Sequence, residues 1–127
     1  MVKHIVMFRL EGADKAAKAA DFKKAIEALP ATISQLESAE VGINDGPDKG
    51  NWDIVLTATC RDYADLATYA THPAHLACVA IIKPLLAARA CVDYTLLPPC
   101  LCRMAVRCLW QQPCHTPRRT ATRAPRP

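Results

Sequence analysis

Residues 2–10 alternate, with His4, Val6 and Phe8 on one side and Lys3, Ile5, Met7 and Arg9 on the other, which is the period of a β-strand. Both sides carry apolar side chains. The period then changes: Phe22, Ile26 and Leu29 recur at helical spacing and Ala19 extends the stripe, so a helix capped by Asp14 is predicted to run to Leu29, where Pro30 stops it. A short turn of helix is expected over residues 31–35. Extended patterning returns at residues 38–44 and 52–60, the latter with Trp52, Ile54, Leu56, Ala58 and Cys60 opposite Asp53, Val55, Thr57 and Thr59. The Gly, Pro, Asn and Asp content of residues 44–51 marks a loop, so the two strands form a hairpin. A second helix is predicted from a cap at Asp62 through Leu66 and Tyr69, and a third helical piece carries Leu76, Val79 and Ile82 up to Pro84. Residues 89–97 alternate as a last strand, with Ala90, Val92, Tyr94 and Leu96 opposite Cys91, Asp93, Thr95 and Leu97.

The order is βαββαβ, the split βαβ plan of an α+β protein, with a four-stranded antiparallel sheet and its helices on one face. The other face stays open, although the first and third strands are apolar on both sides. Burying apolar surface is worth ~25 cal/mol per Å², so several hundred Å² of uncovered sheet favours self-association by several kcal/mol. A homodimer with its sheets packed face to face is therefore expected.

Composition divides the chain at Leu97. Residues 1–97 carry 7 Lys and 3 Arg against 12 acids, whereas residues 98–127 carry 6 Arg and no acid, together with 6 of the 10 prolines and 4 of the 7 cysteines. The net charge of +4 thus comes from the tail. Two regions follow: a folded domain over 1–97 and a tail over 98–127 that reads as disordered, or as a message translated out of frame or past its stop. The tail arginines can attract anions by counterion release, but nucleic acid is not the expected partner. Cys100, Cys102, Cys108, Cys114 and His115 fit no zinc spacing. The N-terminus, broken by Lys3, His4 and Arg9, is neither a signal peptide nor a membrane span, and a cytoplasmic protein is expected. Cys60, Cys78 and Cys91 read as small core residues of a reducing compartment.

Usable chemistry concentrates at Tyr69-Ala70-Thr71-His72-Pro73-Ala74-His75. Pro73 lacks an N–H and suits the first position of a helix. His72 is then a boundary residue in extended geometry, and His75 lies in the first turn, where the helix dipole disfavours imidazolium. A neutral imidazole can accept a proton. The same stretch can equally serve as helix-junction geometry and a pocket wall.

Taken together, residues 1–8, Glu40-Val41-Gly42-Ile43-Asn44, Trp52-Asp53-Ile54-Val55-Leu56, the Tyr69 to His75 stretch and Val92-Asp93-Tyr94 resemble the stress-responsive α/β-barrel (Dabb) family. The resemblance spans residues 1–97. It implies a ferredoxin-like protomer and a dimeric α/β barrel. Many members have no known reaction, while one plant branch, of the olivetolic acid cyclase type, performs a cofactor-independent polyketide cyclisation. By that resemblance His75 takes the place of the general base, Tyr69 that of the assisting tyrosine, and His4 that of a pocket residue; His72, Phe8 and Trp52 are further candidates for the pocket wall.

Aldol cyclisation needs a base for a proton alpha to a carbonyl and a donor for the developing oxyanion, roles open to His75 and Tyr69. No metal is expected, because His4, His72 and His75 have no cysteine or carboxylate at a ligand spacing. No cofactor is expected either, and no glycine-rich phosphate loop or nucleophile elbow is present. The leading expectation is a dimeric stress-responsive barrel protein with a pocket for a small apolar or aromatic ligand. A cyclase is the alternative, and a nucleic-acid-binding tail the third.

Overall fold

The computed structural model describes residues 1–97; the expectations for the tail fall outside the described residues. The chain runs β1 (Val2–Leu10), α1 (Lys15–Glu27), β2 (Leu36–Ile43), β3 (Ile54–Cys60), α2 (Tyr63–Thr71), α3 (Pro73–Ile82) and β4 (Leu86–Thr95), with single 3-10 turns at Leu29–Ala31 and Lys83–Leu85. The four strands form one antiparallel sheet in the order β2-β3-β1-β4. This is the ferredoxin-like α+β fold, with the second helix broken in two at His72. No described helix is long and apolar enough to cross a membrane.

Helix and strand ends depart from the pattern where pairing or capping decides them. The first helix stops at Glu27, and Pro30 sits instead inside a 3-10 turn that still buries Leu29. Asp14 precedes this helix without a side-chain cap bond, whereas Asp62 accepts the Asp65 N–H at 2.8 Å and caps α2. The third strand begins at Ile54 because Asp53 turns its carboxylate to the Leu10 N–H, at 2.7 Å, and to Lys15, at 2.9 Å. The last strand starts earlier than its alternation suggests, since Leu86 pairs with Leu10 across a bulge at Arg9/Leu10.

Alternation on β1 sends Val2, Val6, Phe8 and Leu10 beneath the helices, where they meet Ala19, Phe22 and Ile26 of α1 and Leu66, Tyr69, Cys78 and Ile82 of α2 and α3. The opposite sheet face pairs Ile5 with Val92 and Thr57, and Met7 with Val55 and Ala90. It leaves Val92 60% and Tyr94 40% exposed, with Met7 and Val55 close behind. Apolar residues on both sides of β1 thus serve a roofed face and a bare one.

Ile26 is fully buried between α1 and the sheet. Ile26→Ala is expected to lower the unfolding free energy by about 2–5 kcal/mol in urea titrations, from lost transfer energy and the cavity left behind.

Candidate functional site

His72 has φ −64° and ψ 134°, the extended geometry that a following proline imposes. Its backbone N–H closes α2 on the Tyr69 carbonyl at 3.1 Å, and its Nδ1 accepts the Ala74 N–H at 3.1 Å to open α3. One residue therefore ends one helix and caps the next. The break brings the last turn of α2 against the first turn of α3, so the Tyr69 and His75 rings pack with centroids 4.4 Å apart and planes tilted by 44°. From the sheet, His4 meets the other side of Tyr69 edge-on at 6.3 Å.

The protonation states follow from burial. His75 Nδ1–H donates to the Ala70 carbonyl at 3.1 Å, which leaves Nε2 as the acceptor of a neutral ring. Burial lowers the His75 pKa from its ordinary value, the Ala70 carbonyl acts in the opposite direction, and the positive potential of His4, Arg89 and His72 lowers it further. The helix dipole points the same way, but removal from water is the main cause. Tyr69 is fully buried, and burial pushes its phenol well above the ordinary tyrosine value, so it stays protonated. Its hydroxyl has no hydrogen-bond partner among the described residues, an arrangement that costs about 1–3 kcal/mol.

Two groups that spacing along the chain does not associate with the histidines arrive on β4. Register places Asp93 opposite His4, and His4 Nδ1–H donates to the Asp93 carboxylate at 2.5 Å. Cys91, expected in the core, is exposed instead, with Sγ 3.6 Å from the same nitrogen. Partial loss of water around the thiol, then the Asp93 charge, raises its pKa, while Arg89 acts in the opposite direction. His4, Cys91 and Asp93 each offer one donor atom within 4.8 Å of the others, so strand pairing supplies the cysteine and carboxylate that linear spacing lacks. Nδ1 of His4 and Oδ1 of Asp93 are already engaged with each other.

Between sheet and helices lies a cavity of about 120 Å³, walled by Val6, Phe8, Phe22, Leu56, Val79 and Ile82, with His4, His75 and Arg89 as its polar lining. Tyr69 packs against both histidines but does not line it. His72 caps α3 and does not line it either. Trp52 lies elsewhere: the Arg9 guanidinium sits 5.1 Å from its ring centre, and it borders a larger but open hollow of about 240 Å³ with Met7, Gly42 and Val55. That hollow holds no histidine, and its Asp53 is tied to Lys15. The smaller cavity is the one with chemistry.

The fold and this histidine-lined, helix-roofed cavity define a ferredoxin-like α+β protein with a small internal site. The sequence matches the Stress Responsive A/B Barrel Domain (Dabb) over residues 2–96, and the chain belongs to that family. A dimeric, ferredoxin-like protein of unknown function from Bacteroides fragilis is 42% identical, with a TM-score of 0.71 over 75% of this chain and 95% of that one. A dimeric ferredoxin-like protein of unknown function from Thermobifida fusca is 32% identical, with a TM-score of 0.67 over 75% of this chain and 90% of that one. A Dabb family protein from Mesorhizobium loti shares the fold at 22% identity and a TM-score of 0.60, over 76% of this chain and 97% of that one. Among curated proteins no match is found.

The lowered His75 pKa has a consequence for stability. As pH falls below the ordinary histidine value of 6.5, the unfolded chain takes up the proton first, so stability present at neutral pH is lost through the folded-state pKa. Thermal melts of the wild type between pH 8 and pH 5 are expected to show this loss, and His75→Gln to lack that part of it.

Proposed function

We propose that the protein is a cytoplasmic homodimer, closed sheet to sheet into an α/β barrel, whose protomers each hold a small apolar or aromatic molecule in the cavity beside His4 and His75. The cavity carries the reading: apolar walls of the sheet and helices enclose a space with a neutral imidazole on its lining. Dimerisation is supported by the bare apolar face of the sheet and by the dimeric Bacteroides relative at 42% identity.

A second reading is favoured by the pairing of a neutral imidazole with a protonated, partnerless phenol. In a cofactor-independent cyclisation of the intramolecular aldol type, His75 Nε2 takes the proton alpha to a carbonyl, and the Tyr69 hydroxyl donates to the oxygen on which charge develops. Tyr69 is not on the cavity lining, so direct donation requires the cavity to open toward its hydroxyl. Failing that, the phenol fixes the ring that does the work. Nothing in residues 1–97 favours nucleic acid, and the arginine-rich tail lies outside the described residues.

Val92→Glu places a charge at the most exposed large apolar position of the bare sheet face, and sedimentation is expected to move from dimer to monomer with the fold retained. An unchanged dimer removes the sheet-to-sheet arrangement. In the cavity, Val79→Phe is expected to abolish binding of phenol-sized ligands in NMR titrations, and retained binding rules out this site. For the cyclase reading, deuterium exchange alpha to the carbonyl of a bound β-keto compound is expected to fall by about 10²–10⁴-fold in His75→Ala. Equal exchange in wild type and variant removes the base.

A further inference from the structure

Arg89 has no part in the reading above, yet it lines the same cavity. It comes from β4, where register sets it opposite Phe8 on the helix-covered face. The described residues hold four ion pairs, and none includes Arg89. The carboxylate on the same strand face, Asp93, is engaged with His4. The side chains whose charge acts on His75 are His4, Arg89 and His72, all cationic when charged, with no carboxylate among them. The cavity is therefore apolar at its walls, with Arg89 the one permanent charge on its polar lining; that guanidinium meets the Cys91 thiol but no carboxylate among the described residues, and is the strongest donor array present.

A cation is disfavoured there. Inorganic phosphate is a poor fit too, because one guanidinium against aliphatic and aromatic walls offers too few donors to replace its hydration. An ion with an apolar body and one planar, two-oxygen head matches both parts, since a carboxylate accepts two parallel N–H bonds from arginine. Size sets the body. An engineered cavity of about 150 Å³ takes up benzene, so about 120 Å³ suits a single ring or a short branched chain with its head at the edge.

Building on the small-ligand reading of this site, we propose that the cavity is specific for small organic monocarboxylates, with the carboxylate on Arg89 and the hydrocarbon body against Phe8, Phe22, Leu56 and Ile82. His75 Nε2 then lies on the lining beside the bound body, and Arg89 sets the orientation in which that nitrogen meets it. Arg89 is a specificity-determining residue of the pocket.

The test is an NMR titration of the full chain at pH 7.5 and low salt with two isosteric probes, benzoate and benzamide. Benzoate is expected to bind about tenfold more tightly or better, with the largest shifts at residues of the cavity. Arg89→Met is expected to bring the two affinities together by weakening benzoate far more than benzamide, and unchanged amide shifts away from the cavity report that the exposed substitution has not disturbed the fold. Arg89→Lys is expected to keep part of the preference, as a point charge without the planar fork. The tail arginines are present in every variant, so they cannot produce the difference. Equal binding of the two probes by the wild type, or a benzoate preference that survives Arg89→Met, overturns the carboxylate assignment while the pocket stands. Binding of neither probe overturns the small-ligand reading, and the carboxylate assignment with it.

Discussion

The N–H that Pro73 lacks is the constraint on which the arrangement of this site depends. Six positions separate Tyr69 from His75, and in an unbroken helix that spacing turns the two side chains about 120° apart around the axis. They could not pack ring against ring. Because the chain cannot carry a helical hydrogen bond through Pro73, His72 goes extended, the helix restarts, and the rings come to 4.4 Å. The cost of interrupting a helix is reduced by the imidazole of His72, which accepts the Ala74 N–H left without a partner. The junction also frees the Ala70 carbonyl to take the His75 Nδ1–H, which sets the tautomer.

Burial does the rest. Removal from water pushes imidazole, phenol and thiol alike toward their neutral forms, so His75, Tyr69 and the buried Cys78 shift in the directions that suppress charge. A guanidinium cannot follow, because it does not deprotonate in proteins, and Arg89 accordingly stays at the exposed strand rather than in the core. One small cavity is lined by hydrocarbon, by the neutral imidazole of His75 and by the permanently charged guanidinium of the exposed Arg89.

Much of this was legible in the residues. Periodicity located every strand and helix, the double-sided apolar pattern of β1 and β3 foretold a sheet with a bare face, and Pro73 marked the break that forms the site. Element ends were less legible, because Leu86 joins β4 through its partner Leu10, and Asp53 leaves β3 through a bond to Leu10. The alternation of Ile54 and Leu56 extends in the sequence to Trp52. Once the strand starts at Ile54, the indole falls outside that register and meets Arg9. Arg89, Asp93 and Cys91 carried no local signal as site residues at all. Their place beside the histidines is created by antiparallel pairing between β1 and β4, and a pattern read along one segment cannot see its partner.

That pairing joins His4 to Asp93 across 89 positions of sequence. Contacts of such separation form late, since the entropy of closing the loop is lost before any contact offsets it. On a chain made from the N-terminus onward, β1 emerges before β4, so one of its edges must wait for its partner. Until then His4 has no carboxylate to hold its ring, and the cavity lacks its arginine. Hairpin and helices can assemble earlier from nearer contacts, so the closing strand of the sheet is also the step that completes the cavity lining.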